Sequence, residues 1–182
     1  MMKESQRLGL VSSIVRRLNE AGSWTGRMHI QKLVYFAQDL LGLPSDYEFI
    51  LYQRGPYSFD LDADIRSLRS IGAVEISPAP PYGPSYRTTS FGGDIIRLSP
   101  VGEEMDEQLA RLAETLGPKH AKDLELLATT LYVVNEGHVL DEEIVGRVVS
   151  LKPQFTRDEA QKAIQDVRQL QGQFERGREP KD

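Results

Sequence analysis

Three histidines, His29, His120 and His138, are the side chains best suited to acid–base or metal chemistry. They lie in separate segments. His120 with Asp123, or His138 with Asp141 and Glu142, would begin a metal site. Neither has the paired-histidine spacing that sets two imidazoles on one helix face. The chain has no cysteine, which excludes a thiol nucleophile, a thiolate metal site and a disulfide. No G-x-S-x-G elbow, Walker loop or dinucleotide pattern occurs, and "SFGGD" is too short for a phosphate loop and fits a hairpin turn. The expectation is a protein with no catalytic residue, metal or cofactor.

The second constellation is acidic. In "YQRGPYSFDLDADIRSL", Tyr52 to Leu68, a Gly-Pro turn leads to a helix with Asp60, Asp62 and Asp64 in its first turns. Ser58 is a good N-cap, and an anion at Asp60 suits the helix dipole. Leu61, Ile65, Leu68 and Gly72 share one face. Asp62 can pair with Arg66 one turn on, the common helical pattern, with Arg69 nearby. The outward side then carries Phe59, Asp60, Ala63, Arg66, Ser67 and Ser70. A groove-reading helix favours Arg, Lys, Asn or Gln toward bases and phosphates. An Asp at its start repels them.

The third constellation is "PAPPYGPSYRTTSFGG", where Tyr82, Tyr86 and Phe91 surround Arg87. Aromatics with Arg are favoured interface anchors, and prolines hold a loop extended at low ordering cost. The alternative is that these rings fold back over a sheet as packing.

These residues need elements to position them. Apolar residues at helical spacing predict a helix over about Ser5–Ala21 and a second, capped by Ser23 or Thr25, ending near Leu41. "YEFILY" predicts a short strand or extended link, followed by the helix from Ser58. "AVEIS" and "DIIRLS" read as facing strands joined by the long proline-rich loop. Ser99 and Pro100 then open a helix. "LELLATTLYVV" is apolar nearly all round and predicts a buried helix. "LDEEIVGRVVSL" and "TRDEAQKAIQDVRQL" are two more helices, split at Lys152-Pro153, and "GREPKD" is a frayed tail.

That order is the order of a winged helix: a three-helix core, the third helix presented to a partner, and a hairpin wing. The expected fold is α+β and mostly helical. Residues 1–98 form a winged-helix-like core with a long wing, and residues 99–182 form helices packed on it as one unit. Those apolar C-terminal helices also offer a surface for a homodimer.

Charge bears on the partner. The net charge is −5. Residues 1–98 hold 11 Lys and Arg against 10 Asp and Glu, net +1; residues 99–182 hold 11 against 17, net −6. Neutralising phosphates drives DNA binding, so the balance is unfavourable. DNA reading through Arg66, Arg69, Arg87 and Arg97 stays as the alternative. The N-terminus has Arg16 and Arg17 where a signal peptide is apolar, and no stretch approaches a membrane span. The expectation is a bacterial-type cytoplasmic protein with no membrane contact.

"QKLVYFAQDLLGLP" with "YEFILYQRGPYSFDLDADIRSLRSIGAVE", about residues 27–75, resembles the YwgA-like and Panacea group of bacterial domains, which includes SocA-type antitoxins. Gln31, Lys32, Leu33, Tyr35, Phe36, the Gly55-Pro56-Tyr57-Ser58 turn, Leu61, Leu68 and Gly72 carry the resemblance. "LKPQFTRDEAQKAI" is similar to that group's C-terminal helices, less specifically. The resemblance implies a winged-helix-like α+β fold and an antitoxin or adaptor that grips a protein, a toxin among the partners. On the residues' own reading, Tyr82, Tyr86, Arg87, Phe91, Asp60 and Arg66 are the partner-binding candidates. Gln31, Lys32, Tyr35, Gly55, Pro56, Tyr57 and Ser58 are structural, with the Tyr57 ring closing the turn over the core.

Overall fold

Helical apolar spacing sets the first two elements. In the computed structural model, which describes residues 2–137 and 140–175, α1 spans Glu4–Glu20 and α2 spans Arg27–Leu40. In α2 every residue from His29 to Ala37 is buried. The Ser23 or Thr25 cap is corrected to Gly26. Thr25 is instead buried and accepts a hydrogen bond from Asn19 Nδ2 at 3.0 Å.

β1 (Ile50–Tyr52) and β2 (Gly55–Tyr57) pair antiparallel, Leu51 opposite Pro56, so Gly55-Pro56 lies in a strand and Gln53-Arg54 makes the turn. α3 (Phe59–Ser70) follows, capped by Ser58 through its hydroxyl to the Leu61 N–H at 3.3 Å. Leu61, Ile65 and Leu68 are buried as one face.

β3 (Val74–Ser77) pairs with β4 (Ser85–Thr88), Glu75 opposite Arg87. This corrects the second wing strand. β4 lies inside the proline-rich segment, and "DIIRLS" belongs to α4, Ser90–Leu98. The reason is local. Thr89 caps the helix by accepting from the Gly92 N–H at 3.1 Å. Gly92 lies so close to the Ala73 carbonyl that a Cβ would sit 2.2 Å from it. "SFGGD" is thus the first turn of a helix and not a hairpin turn. The wing loop is residues 78–84, with a cis peptide between Pro80 and Pro81.

α5 (Glu103–Leu116) starts after Gly102, at φ +91°, and not at Ser99 and Pro100. α6 (Ala121–Asn135) is buried through Leu124, Leu127, Ala128 and Leu131. α7 is Asp141–Leu151 and α8 is Arg157–Glu175. Thr156 and Glu159 cap α8 reciprocally: Glu159 accepts from the Thr156 N–H at 2.8 Å, and the Glu159 N–H donates to the Thr156 hydroxyl at 3.2 Å. His138 and "GREPKD" lie outside the described residues.

The fold is α+β and mostly helical, with two small antiparallel sheets. One apolar cluster takes residues from both halves of the sequence: Leu10, Phe36, Leu61, Leu109, Leu131, Val167 and Phe174 all belong to it. A smaller cluster, Val133, Ile144, Val148 and Ile164, seats α7. Among the described residues, no helix is long and apolar enough to cross a membrane.

Candidate functional site

The start of α2, the β1–β2 hairpin and the wing loop enclose a groove of about 440 Å³. Its walls are Trp24, Gly26, Arg27, Met28, Gln31, Lys32, Tyr52, Gln53, Arg54, Gly55, Tyr57, Gly83, Pro84 and Tyr86.

Two side chains of α2 hold the hairpin by its backbone. The Gln31 amide donates to the Ser58 carbonyl at 2.9 Å and accepts from the Ser58 N–H at 3.0 Å. Lys32 Nζ donates to the Pro56 carbonyl at 2.7 Å. Lys32 is only 1% exposed. Burial pushes its pKa down to about 7; Glu125 pulls it up, and Lys152 pushes it further down. Lys152, at the end of α7, also donates to the Gln53 carbonyl in the hairpin turn and lies 2.8 Å from Glu125. Beneath the groove, two buried ammonium groups therefore share one carboxylate.

Gly55 makes this closeness attainable. Its φ is +82°, and a Cβ there would meet Thr129 Oγ1 at 2.8 Å, with Lys32 Nζ at 3.6 Å. The hairpin backbone is pressed onto α6 and α2 with no room for a side chain.

The rim is aromatic. Tyr52, Tyr57 and Phe59 pack against one another tilted or edge-on, with centroids 5.7 Å (Tyr52–Tyr57), 5.7 Å (Tyr52–Phe59) and 5.1 Å (Tyr57–Phe59) apart. Tyr52 and Phe59 are nonetheless exposed. Opposite them, Trp24 Nε1 donates to the Gly83 carbonyl at 3.1 Å, and the Trp24 ring lies 5.8 Å from that of Tyr82. Below Trp24, His29 contacts it edge-on at 5.3 Å and donates from Nε2 to the Lys119 carbonyl at 3.1 Å. Burial lowers the His29 pKa.

Asp62 sits at the edge of this arrangement. Arg66 Nη2 is 3.3 Å from it, as the helical spacing predicts. Arg27, not Arg69, is its second partner: Arg27 Nη1 lies 3.2 Å from Oδ1, without the alignment of a hydrogen bond. Arg27 also donates to the Tyr86 hydroxyl at 3.3 Å. The Tyr57 hydroxyl is pushed up by burial and by the Asp62 carboxylate beside it.

The expected anchors are scattered. Tyr82 is 55% exposed on the wing loop. Tyr86 is 5% exposed, with its N–H donating to the Thr25 carbonyl at 2.8 Å, so its ring is packing and only a small part of it meets the groove. Phe91 is exposed, but on α4 and not on the loop. Arg87 is exposed on β4, and Asp60, Arg66 and Arg69 are exposed on α3. Arg97 is corrected from the wing to α4, where it pairs with Asp94. Tyr57 is corrected too: it is half-buried at the groove and does not close the turn over the core. Tyr35 is buried against Phe49, centroids 5.2 Å apart. Gln31, Lys32, Gly55 and Tyr57, read as structural, line the groove. Trp24, Arg27, Tyr52 and Arg54 join them at the groove. A Trp in a capping segment and a Tyr-x-x-Gly hairpin are the sequence signals for them.

His120 and Asp123 are exposed at the start of α6. Among the described residues, no three His, Asp or Glu side chains are placed to hold a metal ion. Compared with models of known protein families, the chain matches none. No curated protein matches it either.

Proposed function

We propose that the chain is a non-catalytic protein-interaction module of the antitoxin or adaptor kind, acting in a bacterial cytoplasm, and that the groove is its partner-binding face. In this reading α1, α2, α3 and the β3–β4 hairpin form a winged-helix-like arrangement, similar to YwgA-like and Panacea domains. The observation that carries the proposal is the packed trio Tyr52, Tyr57 and Phe59, with Tyr52 and Phe59 left open to solvent beside a groove of about 440 Å³. Aromatic rings fixed by one another lose little entropy on binding and are favoured anchors. The groove's size is that of a ligand site. Binding acts sterically: a partner segment seated here is covered, and the surface around it is masked.

DNA reading has the exposed Arg69 and Arg87 in its favour, which make no ion pair among the described residues. Arg66 and Arg97, half of the set on which it relied, are paired with Asp62 and Asp94.

The test is a photo-crosslinking residue placed at Gln53, on the rim, and separately at Leu98, which is 84% exposed on α4. Each variant is irradiated in the native host and analysed by mass spectrometry. One protein adduct from Gln53 and none from Leu98 is the expected result. Adducts to DNA, or to a protein from Leu98 alone, would displace this reading.

A further inference from the structure

Resting on the reading of the groove as a partner-binding face, we infer that its occupant is an extended peptide segment carrying an Asp or Glu side chain next to an aromatic or aliphatic one. The carboxylate is taken by Arg54, with the buried Lys32 ammonium beneath adding attraction through space, and the apolar neighbour lies on Tyr52 and Trp24.

Charge carries the inference. The protein is acidic overall, yet among the described residues that line the groove every charged side chain is cationic: Arg27, Lys32 and Arg54. These three are not equivalent. Arg27 is already held by Asp62 and Tyr86. Arg54 stands exposed in the hairpin turn and makes no ion pair among the described residues. Lys32 uses one proton on the Pro56 carbonyl, and the Glu125 carboxylate below it is shared with Lys152. The floor thus sets two ammonium groups against one carboxylate, where an unbalanced charge is costly. An anion brought into the groove favours the protonated form of Lys32, whereas a cation disfavours it. The aromatic rim supplies the apolar half of the recognition. The same positive lining, with rings spaced by two hairpins, suits a short linear segment of mixed acidic and apolar character.

The experiment is a display selection of random seven-residue peptides, flanked on both sides by Gly-Ser so that neither terminus is free. It is run on the wild type, on Arg54→Glu and on Tyr52→Ala, with circular dichroism confirming that each is folded. The wild type is expected to enrich peptides with Asp or Glu adjacent to an aromatic or aliphatic residue. The best of these should bind Arg54→Glu at least about tenfold more weakly, and Arg54→Gln by an intermediate amount. Enriched peptides without an acid, lost on Tyr52→Ala, would overturn the inference while leaving the groove as the binding face. Absence of any peptide that distinguishes the wild type from Tyr52→Ala would remove both.

Discussion

Gln31 and Ser58 bond to each other twice, 27 residues apart: one amide group satisfies both the N–H and the carbonyl of the residue that caps α3. Ser58 is buried, so water cannot substitute. Gln31→Ala orphans the Ser58 N–H and leaves the Ser58 carbonyl with the Asp62 N–H alone, and the expected loss is about 1–3 kcal/mol in urea unfolding. Gln31→Glu keeps the acceptor and loses the donor, so its midpoint should fall between those of Ala and wild type. Equal midpoints for all three would show that the bonds contribute nothing.

Gly55 and Gly72 both have positive φ, +82° and +76°, but only Gly55 is crowded. Gly72→Ala carries backbone strain alone, about 1 kcal/mol. Gly55→Ala adds a clash with the Thr129 side chain and should cost at least about 1 kcal/mol more. The comparison is made by thermal and urea unfolding. Matching losses would mean the hairpin is not pressed on α6 as described.

Tyr82 and Tyr86 should separate cleanly. Tyr86→Ala removes a buried ring and is expected to destabilise by about 3–5 kcal/mol. Tyr82→Ala, at an exposed position, should cost under about 1 kcal/mol while weakening partner capture through the loss of the ring beside Trp24. Binding that survives Tyr82→Ala at full strength would confine the face to the hairpin side.

The ionisation of Lys32 gives a pH test of the acidic-segment inference. Its pKa lies near 7, lowered first by burial, raised by Glu125 and lowered again by Lys152. An anion favours the protonated form. Affinity for a selected acidic peptide should therefore be full below pH 7 and fall as pH rises above it. Titration calorimetry from pH 6 to 9 reads this directly, and Lys32→Met should flatten the profile. An unchanged slope in that variant would assign the pH dependence elsewhere.

The helices were legible because their apolar residues repeat at helical spacing and their ends carry Gly, Pro or Ser. Leu61, Ile65 and Leu68 show this in α3. "DIIRLS" misled because Ile95 and Ile96 are β-branched, and intrinsic preference is overridden when Thr89 caps the chain and Gly92 lets it lie on Ala73. The groove was less legible still. Its walls come from three segments that only tertiary folding joins, and nothing in "QKLVYF" says that the lysine is buried. What the resemblance marked as motif, Gln31, Lys32 and the Gly55–Ser58 turn, the fold explains as side chains holding a neighbouring backbone.

The bond from Lys152 to the Gln53 carbonyl joins residues 99 positions apart, and this sets an order in time. At the usual pace of synthesis a ribosome needs about 5–20 s to travel from the hairpin turn to the lysine that fastens it. For about the last two-thirds of that interval, once Tyr86 is made, the nascent chain has both rims of the groove but lacks Lys152, one of the two ammonium groups that share Glu125. The finished recognition surface is therefore a late product of translation, assembled after most of the chain that displays it already exists.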